Sequence, residues 1–308
     1  MTVHTRAALQ ALFVTLLWST SWVLIKIGLD DIPALTFAGL RYVLAFLCLL
    51  PFAWQSGQLA ALRRLPRADG RRLAVLGLLY YTVTQGAQFL GLERLPAATT
   101  SLLFSFTTGV VALLGIPMLS ERPTRGQWGG IAVYLLGALV YFYPVTLPRE
   151  QVVGLLIMLG GVLSNALSAV LGRDVNRTAT LPALAVTVAS MGVGSVVLLG
   201  AGIVTQGLPA LSASGWLIIA WLALVNTAFA FTLWNHTQRT LPAVETSIIN
   251  NTMLIQIAVL AWVFLGEALN AREIGGLALA AAGTLLVQLN RRQGGLVESQ
   301  RRRKRRES

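Results

Sequence analysis

Apolar residues fall into ten long blocks along the chain, and short polar stretches separate them. Each block approaches the ~20 residues that an α-helix needs to cross the ~30 Å hydrocarbon core of a bilayer. The blocks lack the polar faces with helical period that a large soluble helical protein would expose to water. The pattern therefore predicts ten membrane-spanning helices, at about residues 7–28, 33–52, 73–91, 97–119, 126–143, 151–172, 182–204, 213–234, 243–265 and 272–290.

The chain repeats itself after 146 residues. The heptapeptide LPAATTS at 95–101 returns as LPAVETS at 241–247. The same offset, with no gap, pairs Glu121 with Glu267, Gly129 and Gly130 with Gly275 and Gly276, and Gly137 with Gly283. A match that persists this far indicates a duplicated unit. We predict a first repeat at 1–146, a second repeat at 147–292 and a basic tail at 293–308.

Five spans in each repeat is an odd number, so the second repeat enters the membrane from the side opposite to the first. The predicted fold is therefore an all-α integral membrane protein, with ten transmembrane helices in two inverted-topology five-helix repeats. Many secondary transporters have this architecture, and their substrate site lies near the membrane midplane between the repeats. No G-x-x-x-x-G-K-[ST] nucleotide-binding motif occurs in the chain, which argues against an ATP-driven pump.

Composition agrees with a membrane protein. Charged residues make up 12% of the chain, compared with about 25% in soluble domains, and the mean hydropathy is +0.69. The only cysteine, Cys48, excludes a disulfide framework. The first apolar block follows a basic residue, as in a signal peptide. However, it is longer than a signal peptide and lacks a clear cleavage site, so we interpret it as a retained span.

Basic residues predict the orientation. A cytoplasmic N terminus would place nineteen of the 24 lysines and arginines inside, three outside and two within spans. We therefore predict a bacterial inner-membrane protein with both termini in the cytoplasm. The RRRKRR run at 301–306 resembles a nucleic-acid patch. In a multi-span protein it is better explained as a topology signal that attracts anionic lipid headgroups, and no nucleic-acid partner is expected.

At this point the sequence resembles the drug/metabolite transporter superfamily, and within it the EamA-type ten-span permeases. The resemblance covers nearly the whole chain apart from the tail. It rests on LLWSTSWVLIKIGL (16–29), IPALTFAGLRY (32–42), LPAATTSLLFS (95–105), GIPMLSERPT (115–124), LPAVETSIINN (241–251), FLGEALN (264–270) and IGGLALAAAGTLL (274–286).

The resemblance implies an exporter or permease of amino acids and other small metabolites, and wider relatives carry sugars, nucleotide sugars or drugs. Small multidrug relatives place a glutamate in the first span, where this chain has Lys26 instead. This difference argues against cationic-drug export by the same chemistry. The leading hypothesis is amino-acid export by alternating access, and the alternative is a drug or sugar permease of the same fold. A single chain would be enough to enclose the pathway.

Two other classes of protein fit the sequence less well. An integral-membrane enzyme would need clustered titratable or metal-binding groups. The two histidines, His4 and His236, have no motif partner, so no catalytic residue, metal or cofactor is expected. The other class is a membrane scaffold without transport. It predicts that Trp22→Ala and Asn250→Ala leave any growth or resistance phenotype unchanged, whereas transport predicts loss of the phenotype without loss of expression.

Polar and aromatic residues inside the first and third spans are candidates for the substrate site. Trp18, Ser21 and Trp22 lie in the WSTSW string, and the two tryptophans lie one turn apart on one helical face. They could stack on a solute. The enrichment of tryptophan at the membrane–water interface, or packing between helices, would explain them equally well. In the third span Tyr80, Thr84 and Gln88 form an i, i+4, i+8 row, with Tyr81 and Gln85 beside it. Such a row either lines a cavity or bonds neighbouring helices.

The second repeat contributes further candidates. Subtracting the offset pairs Tyr80 with Asn226 in the eighth span, and Asn250 and Asn165 add amides in the ninth and sixth spans. Three charged residues could act in coupling or charge recognition. Glu245 could carry a proton, although an acid near the start of a helix has a structural explanation. Lys26 and Arg41 could bind a substrate carboxylate or could extend to the membrane surface. We interpret Glu121 and Glu267 as side chains that stabilise the ends of corresponding helices, and not as substrate ligands.

Overall fold

The computed structural model describes residues 3–63, 65–119, 124–143, 149–178, 181–237, 240–241 and 243–307, and every regular element in these ranges is helical. Ten helical elements follow the order of the predicted spans, and a short helix, Leu59–Arg63, connects the second to the third. They are α1 Val3–Gly28, α2 Ala34–Gln55, α3 Arg67–Arg94, α4 Ala97–Ser105 with Thr107–Leu119, α5 Arg125–Phe142, α6 Arg149–Thr178, α7 Ala183–Gln206, α8 Ala213–Thr237, α9 Ala243–Asn251 with Met253–Leu265, and α10 Ala271–Glu307.

Proline determines where four of these helices begin. A proline occupies the N-cap position of α2, α3, α4 and α7. These four prolines have φ between −56° and −61° and an extended ψ, and they are Pro33, Pro66, Pro96 and Pro182. Proline has no N–H to leave unsatisfied at a helix start, so it defines the boundary without cost. At the other end, α9 stops at Gly266, whose φ of 67° lies in the left-handed region that glycine adopts without strain.

Seven helices are long and apolar enough to cross a bilayer on length and composition alone, namely α1, α2, α3, α4, α6, α7 and α9. The other three complete the bundle through their packing, because α5 lies along α10, and α8 lies against α1 and α2. Large apolar side chains cover the outside of the bundle, and Leu139, Leu217 and Phe264 are all more than three-fifths exposed. Lipid is the natural solvent for such a surface.

The bundle has two ends, which we call the N-terminal face and the far face. The N-terminal face is the end where α1 begins and where α2, α4, α6 and α8 end. The far face is the end where α1, α3, α5, α7 and α9 end. The segments LPAATTS and LPAVETS therefore start helices from opposite faces, as two inverted repeats require.

Both repeats depart from regular helix at the same positions. A π-helical segment spans Leu78–Thr84 in α3, and another spans Leu224–Phe229 in α8, so that their starts are separated by the repeat offset. The breaks inside α4 and α9, at Phe106 and Thr252, are related by the same offset. Irregular turns inside membrane helices need compensating hydrogen bonds, so their recurrence marks them as features of the duplicated unit.

The two repeats dock through α5 and α10, whose backbones touch. Gly137 faces Gly276 and Gly130 faces Gly283, and each pair joins one repeat to the other. A methyl group added to Gly137 would lie 2.5 Å from the backbone nitrogen of Ala280. Membrane helices gain no hydrophobic drive towards one another in lipid, so close packing through small residues holds them together.

The helices α2 and α7 dock in the same way. A methyl group on Gly39 would lie 2.4 Å from the Cα atom of Leu199, and one on Gly202 would lie 2.5 Å from the backbone nitrogen of Thr36. The pairs α2–α7 and α5–α10 each take one helix from each repeat. We call these two closely packed pairs the frame of the bundle.

Two partly buried charges hold the turn between α3 and α4 at the far face. The Lys26 ammonium donates to the carbonyl oxygens of Leu92 and Leu95 at 2.6 and 2.7 Å, where α3 ends. The Glu267 carboxylate accepts from the backbone nitrogen of Ala97 at 2.9 and 2.8 Å, where α4 begins. Each charge lies at the end of the helix that its sign stabilises. Because Lys26 and Glu267 belong to different repeats, this clasp (Lys26, Glu267 and the turn 92–97) closes the two repeats together.

Substitution of the docking glycine should destabilise the protein. Gly137→Ala inserts a methyl group against backbone atoms that cannot move aside, which costs about 1–3 kcal/mol. Gly129→Ala, on the same helix, is the matched control, because nothing lies within 4 Å of a methyl group added there. Thermal unfolding of the detergent-purified proteins should show a lower Tm for Gly137→Ala only. Equal Tm values for the two variants would refute backbone docking.

Removal of the Glu267 carboxylate should free the start of α4. In Glu267→Ala the amides of Ala97 and Ala98 lose their acceptor, and loss of a helix cap costs about 1–2 kcal/mol. Hydrogen exchange of the peptide around 95–101 should therefore accelerate by roughly 5- to 30-fold. Glu93→Ala is the control, since the exposed Glu93 pairs with the adjacent Arg94 at the same face. Exchange that is the same in both variants would contradict the clasp.

Candidate functional site

A cavity of about 220 Å³ lies between α3, α6 and α7, and its wall combines both repeats. Its polar atoms come from hydroxyl and amide side chains and from two tyrosines. The residues described around it are Leu76, Tyr80, Tyr81, Asn165, Ser168, Ala169, Val186, Thr187 and Ser190. None of these side chains carries a charge. The cavity therefore offers aromatic faces and hydrogen bonds to a small solute.

The π-helical segment of α3 places the tyrosines in this wall. Within this wider turn, the carbonyl oxygen of Leu79 accepts hydrogen bonds from two hydroxyl groups. Thr84 donates to this oxygen at 2.8 Å from within α3, and Ser164 donates to it at 2.8 Å from α6. The second bond fixes α3 of the first repeat against α6 of the second. The π-helical turn is thus both an irregular turn in α3 and a junction between the repeats.

The rings of Tyr80 and Tyr81 meet edge to face, with centroids 4.9 Å apart. Tyr81 also packs against Tyr42 of α2 at 5.6 Å. Next along α2, the guanidinium of Arg41 lies 5.0 Å from the Tyr42 ring centroid, and Arg41 is only 5% exposed. An aromatic cluster therefore connects the cavity wall to a buried cation.

Asn165 contributes an amide to the cavity from α6. Its Nδ2 atom donates to the Thr107 hydroxyl at 3.1 Å, just after the break in α4. The Ser168 hydroxyl donates to the carbonyl oxygen of Asn165 at 2.8 Å. Asn165 therefore joins the cavity wall to the second half of α4.

Trp18 and Asn226 lie on the other side of the bundle, where α1 contacts α8. The indole nitrogen of Trp18 donates to the carbonyl oxygen of Asn226 at 3.1 Å, and the Asn226 amide donates back to the carbonyl oxygen of Leu17. The Trp18 ring packs against Phe231 and Trp234. This contact corresponds to the contact of α6 with α3, because Asn226 occupies the second π-helical segment. Both residues bond neighbouring helices here.

The remaining predicted residues have varied environments. Trp22 is buried with its ring edge against Phe104 of α4, at 6.1 Å between centroids. Ser21 donates to the carbonyl oxygen of Trp18 at 2.5 Å within α1. Gln85 is buried in α3, next to the π-helical segment. Asn250 is exposed on α9. The structure therefore gathers Tyr80, Tyr81 and Asn165 in one cavity, with Thr84 directly behind the wall.

Glu245 lies at the N-terminal face. Its carboxylate pairs with Nε2 of His4 at 2.8 Å, and both side chains are substantially exposed to solvent. This contact joins the first turn of α1 to the first turn of α9. Lys26 takes part in the clasp at the opposite face, so these two predicted charges lie near opposite ends of the bundle.

Sequence reasoning missed the α7 side of the cavity. Thr187 and Ser190 line it, although the seventh span reads as largely apolar. A clue was available in the small residues near Ser190. A methyl group on Gly194 would lie 2.2 Å from the carbonyl oxygen of Gly77, so α7 and α3 touch beside the cavity. Ser168 was also missed, although it lies one turn after Ser164 on α6.

A second cavity of about 330 Å³ opens beside the clasp at the far face. Charged side chains border it, including Glu267, Arg272 and Glu273, together with Thr99 and Tyr141, which hydrogen bond to each other at 2.8 Å. Within the residues that the structure describes, no three His, Cys, Asp or Glu side chains come together as a metal site would require.

Comparison with known proteins identifies the family. The profile of the EamA-like transporter family matches residues 5–143 and 152–289, so it matches this chain twice. A Salmonella typhimurium protein named "Probable amino-acid metabolite efflux pump" is 26% identical over 292 residues, covering 89% of this chain and 91% of that protein. An Escherichia coli K12 protein named "Uncharacterized inner membrane transporter YedA" is 30% identical and covers 78% of this chain and 76% of its own length.

Two further comparisons limit what can be transferred. A Chlamydia trachomatis "S-adenosylmethionine/S-adenosylhomocysteine transporter" is 30% identical over 128 residues, or 41% of this chain and 37% of that protein. One solved crystal structure matches with a TM-score of 0.67 at 19% identity, covering 92% of this chain and 98% of the other, which concerns the fold alone. The double family match, the ten helices in two inverted repeats and the inner-membrane relatives agree with one another. This chain therefore belongs to the EamA-like transporter family of the drug/metabolite transporter superfamily and is a multi-pass inner-membrane transporter.

Proposed function

We propose that this protein is a secondary transporter that exports small metabolites of the amino-acid type by alternating access. The observation that carries the proposal is the uncharged polar cavity between α3 of one repeat and α6 and α7 of the other. Its volume of about 220 Å³ suits a solute of a few heavy atoms. No catalytic role is proposed for any residue.

The cavity wall suits a solute with both polar and apolar parts. The faces of Tyr80 and Tyr81 can contact an ammonium group or an apolar side chain. Asn165 brings an amide to this wall. The Ser168 and Ser190 hydroxyls already donate to carbonyl oxygens of their own helices, so each offers its oxygen to the solute as a hydrogen-bond acceptor. Of the other sequence-predicted residues, Trp22 on α1, Gln85 on α3, Asn226 on α8 and Asn250 on α9 are proposed to contact the solute in the opposite state.

The irregular helices provide a mechanism for changing access. The π-helical segments of α3 and α8, and the breaks in α4 and α9, lie at equivalent positions in the two repeats. If one repeat rocks against the other, these points can bend while the glycine-docked pairs stay fixed. The clasp of Lys26 and Glu267 then keeps the far face shut. By repeat symmetry, Glu121 would close the N-terminal face against the LPAVETS turn, but Glu121 lies outside the described residues.

We propose that the N-terminal face is cytoplasmic, because that orientation places nineteen of the 24 lysines and arginines inside. Export would then release the solute from the far face. The basic residues of the tail are proposed to bind anionic lipid headgroups. One chain supplies all the described residues of the cavity wall, so a monomer is sufficient, and no nucleic-acid partner is proposed.

A drug, sugar or other metabolite permease of the same fold is the second candidate. The relative from Chlamydia that is named for S-adenosylmethionine favours it, since that solute is larger than an amino acid. The relative named for amino-acid metabolite efflux favours the leading candidate, because it matches the chain over nine-tenths of its length.

Flux from reconstituted vesicles tests the proposal. Proteoliposomes loaded with each of the twenty labelled amino acids should release at least one of them faster than protein-free liposomes do. Asn165→Ala and Tyr80→Ala should each reduce that release by about tenfold or more, since both side chains line the cavity. Thr205→Ala is the control, because Thr205 is exposed and bonds only to its own helix.

Two results would contradict the leading candidate. If no amino acid leaves the proteoliposomes faster than it leaves protein-free liposomes, the amino-acid assignment fails. S-adenosylmethionine and hexoses then become the solutes to assay. If release occurs but is unchanged in both cavity variants, the cavity is not the binding site.

A further inference from the structure

Arg41 is a buried cation for which the described part of the protein provides no counterion. It is 5% exposed, and its Nε atom is inaccessible to solvent and has no hydrogen-bond partner. Among the ion pairs between described residues, none includes Arg41. The residue lies seven positions into α2, about 10 Å from the far-face end of the helix. It is therefore within the depth of the hydrocarbon core.

Three other basic side chains have partners in the structure. Lys26 donates to two carbonyl oxygens at the end of α3. Arg94 pairs with Glu93 at the far face, and Arg72 pairs with Asp69 and Asp174. Arg41 has only the face of the neighbouring Tyr42, at 5.0 Å. A cation–π contact offsets only part of the cost of burying a guanidinium, so an anion is the missing partner.

The surroundings of Arg41 connect it to the cavity. The Tyr42 ring packs against Tyr81, and Tyr81 packs against Tyr80. Tyr80 and Tyr81 both line the cavity. Guanidinium, tyrosine cluster and cavity thus form one continuous region across α2 and α3.

We propose that Arg41 binds the carboxylate of the transported solute, so that the protein selects small zwitterions and organic acids. This inference rests on the proposed function and names its substrate class. Guanidinium binds carboxylate through two parallel charge-assisted hydrogen bonds, an arrangement that lysine cannot reproduce. The uncharged wall at Tyr80, Asn165 and Ser168 then contacts the rest of the solute. Drugs and sugars that lack an acid group would leave the guanidinium unpaired.

Matched ligand pairs test the inference without any mutation. Thermal unfolding of the detergent-purified protein is followed with each of the twenty amino acids and with the corresponding amino alcohols. At least one amino acid should raise the Tm of the wild-type protein, while its amino alcohol, which lacks the carboxylate, should not. Equal stabilisation by the two members of every active pair would overturn the inference, as would stabilisation by no amino acid at all.

Variants then assign the effect to Arg41. Arg41→Gln should weaken binding of the active amino acid by about tenfold or more, and Arg41→Lys should retain part of it. Arg94→Gln, which removes a basic residue already paired with Glu93, should leave binding unchanged. Wild-type affinity in Arg41→Gln would refute the role of Arg41. Amino-acid release from proteoliposomes that is unaffected in Arg41→Gln would refute this inference and leave the proposed function intact. Arg41-dependent binding of an amino acid that is not released from proteoliposomes would support the role of Arg41 and refute the proposed export.

Discussion

Backbone contact between the two repeats is the constraint on which the rest of the structure depends. In lipid, helices are not driven together by burial of apolar surface, so they must fit closely to associate. At Gly137 and Gly276, and at Gly39 on α2, the approach leaves no room for a single methyl group. These contacts fix two helix pairs, α5–α10 and α2–α7, across the boundary between oppositely inserted repeats. Every other helix is positioned relative to this frame.

The remaining helices are joined by polar contacts of a different kind. Ser164 bonds to the π-helical segment of α3, and Asn226 bonds from the equivalent segment of α8 to α1. Each contact connects one repeat to the other through a helix that is locally irregular. Hydrogen bonds of this sort contribute about 0.6–2 kcal/mol in membrane bundles, so they can exchange as the helices move. A rigid frame with bendable, weakly bonded helices inside it is the physical basis proposed here for alternating access.

The repeat made the fold predictable from sequence, but the site could be predicted only in part. The offset of 146, the prolines before α2 and α4, and the paired glycines all refer to backbone geometry, which the residue type specifies directly. Tyr80, Tyr81 and Asn165 were predicted from polarity inside spans and lie together in the cavity. Trp18 and Asn226 satisfied the same criterion but contact each other between α1 and α8. Polarity does not distinguish a cavity wall from a helix contact, and the π-helical segments, which rotate the following side chains, leave no mark in the composition.

The central claim is that a cavity between two opposed repeats opens alternately to the two sides of the membrane. Cysteine accessibility tests it most directly, in a Cys48→Ala background with single cysteines at Ser56, Ser168 and Ser214. An impermeant thiol reagent added to intact cells should label Ser214→Cys, on the far face, but not Ser56→Cys. It should label Ser168→Cys, in the cavity wall, both in intact cells and in inverted vesicles. Labelling of Ser168→Cys from one side only, or of Ser56→Cys from outside, would contradict the account.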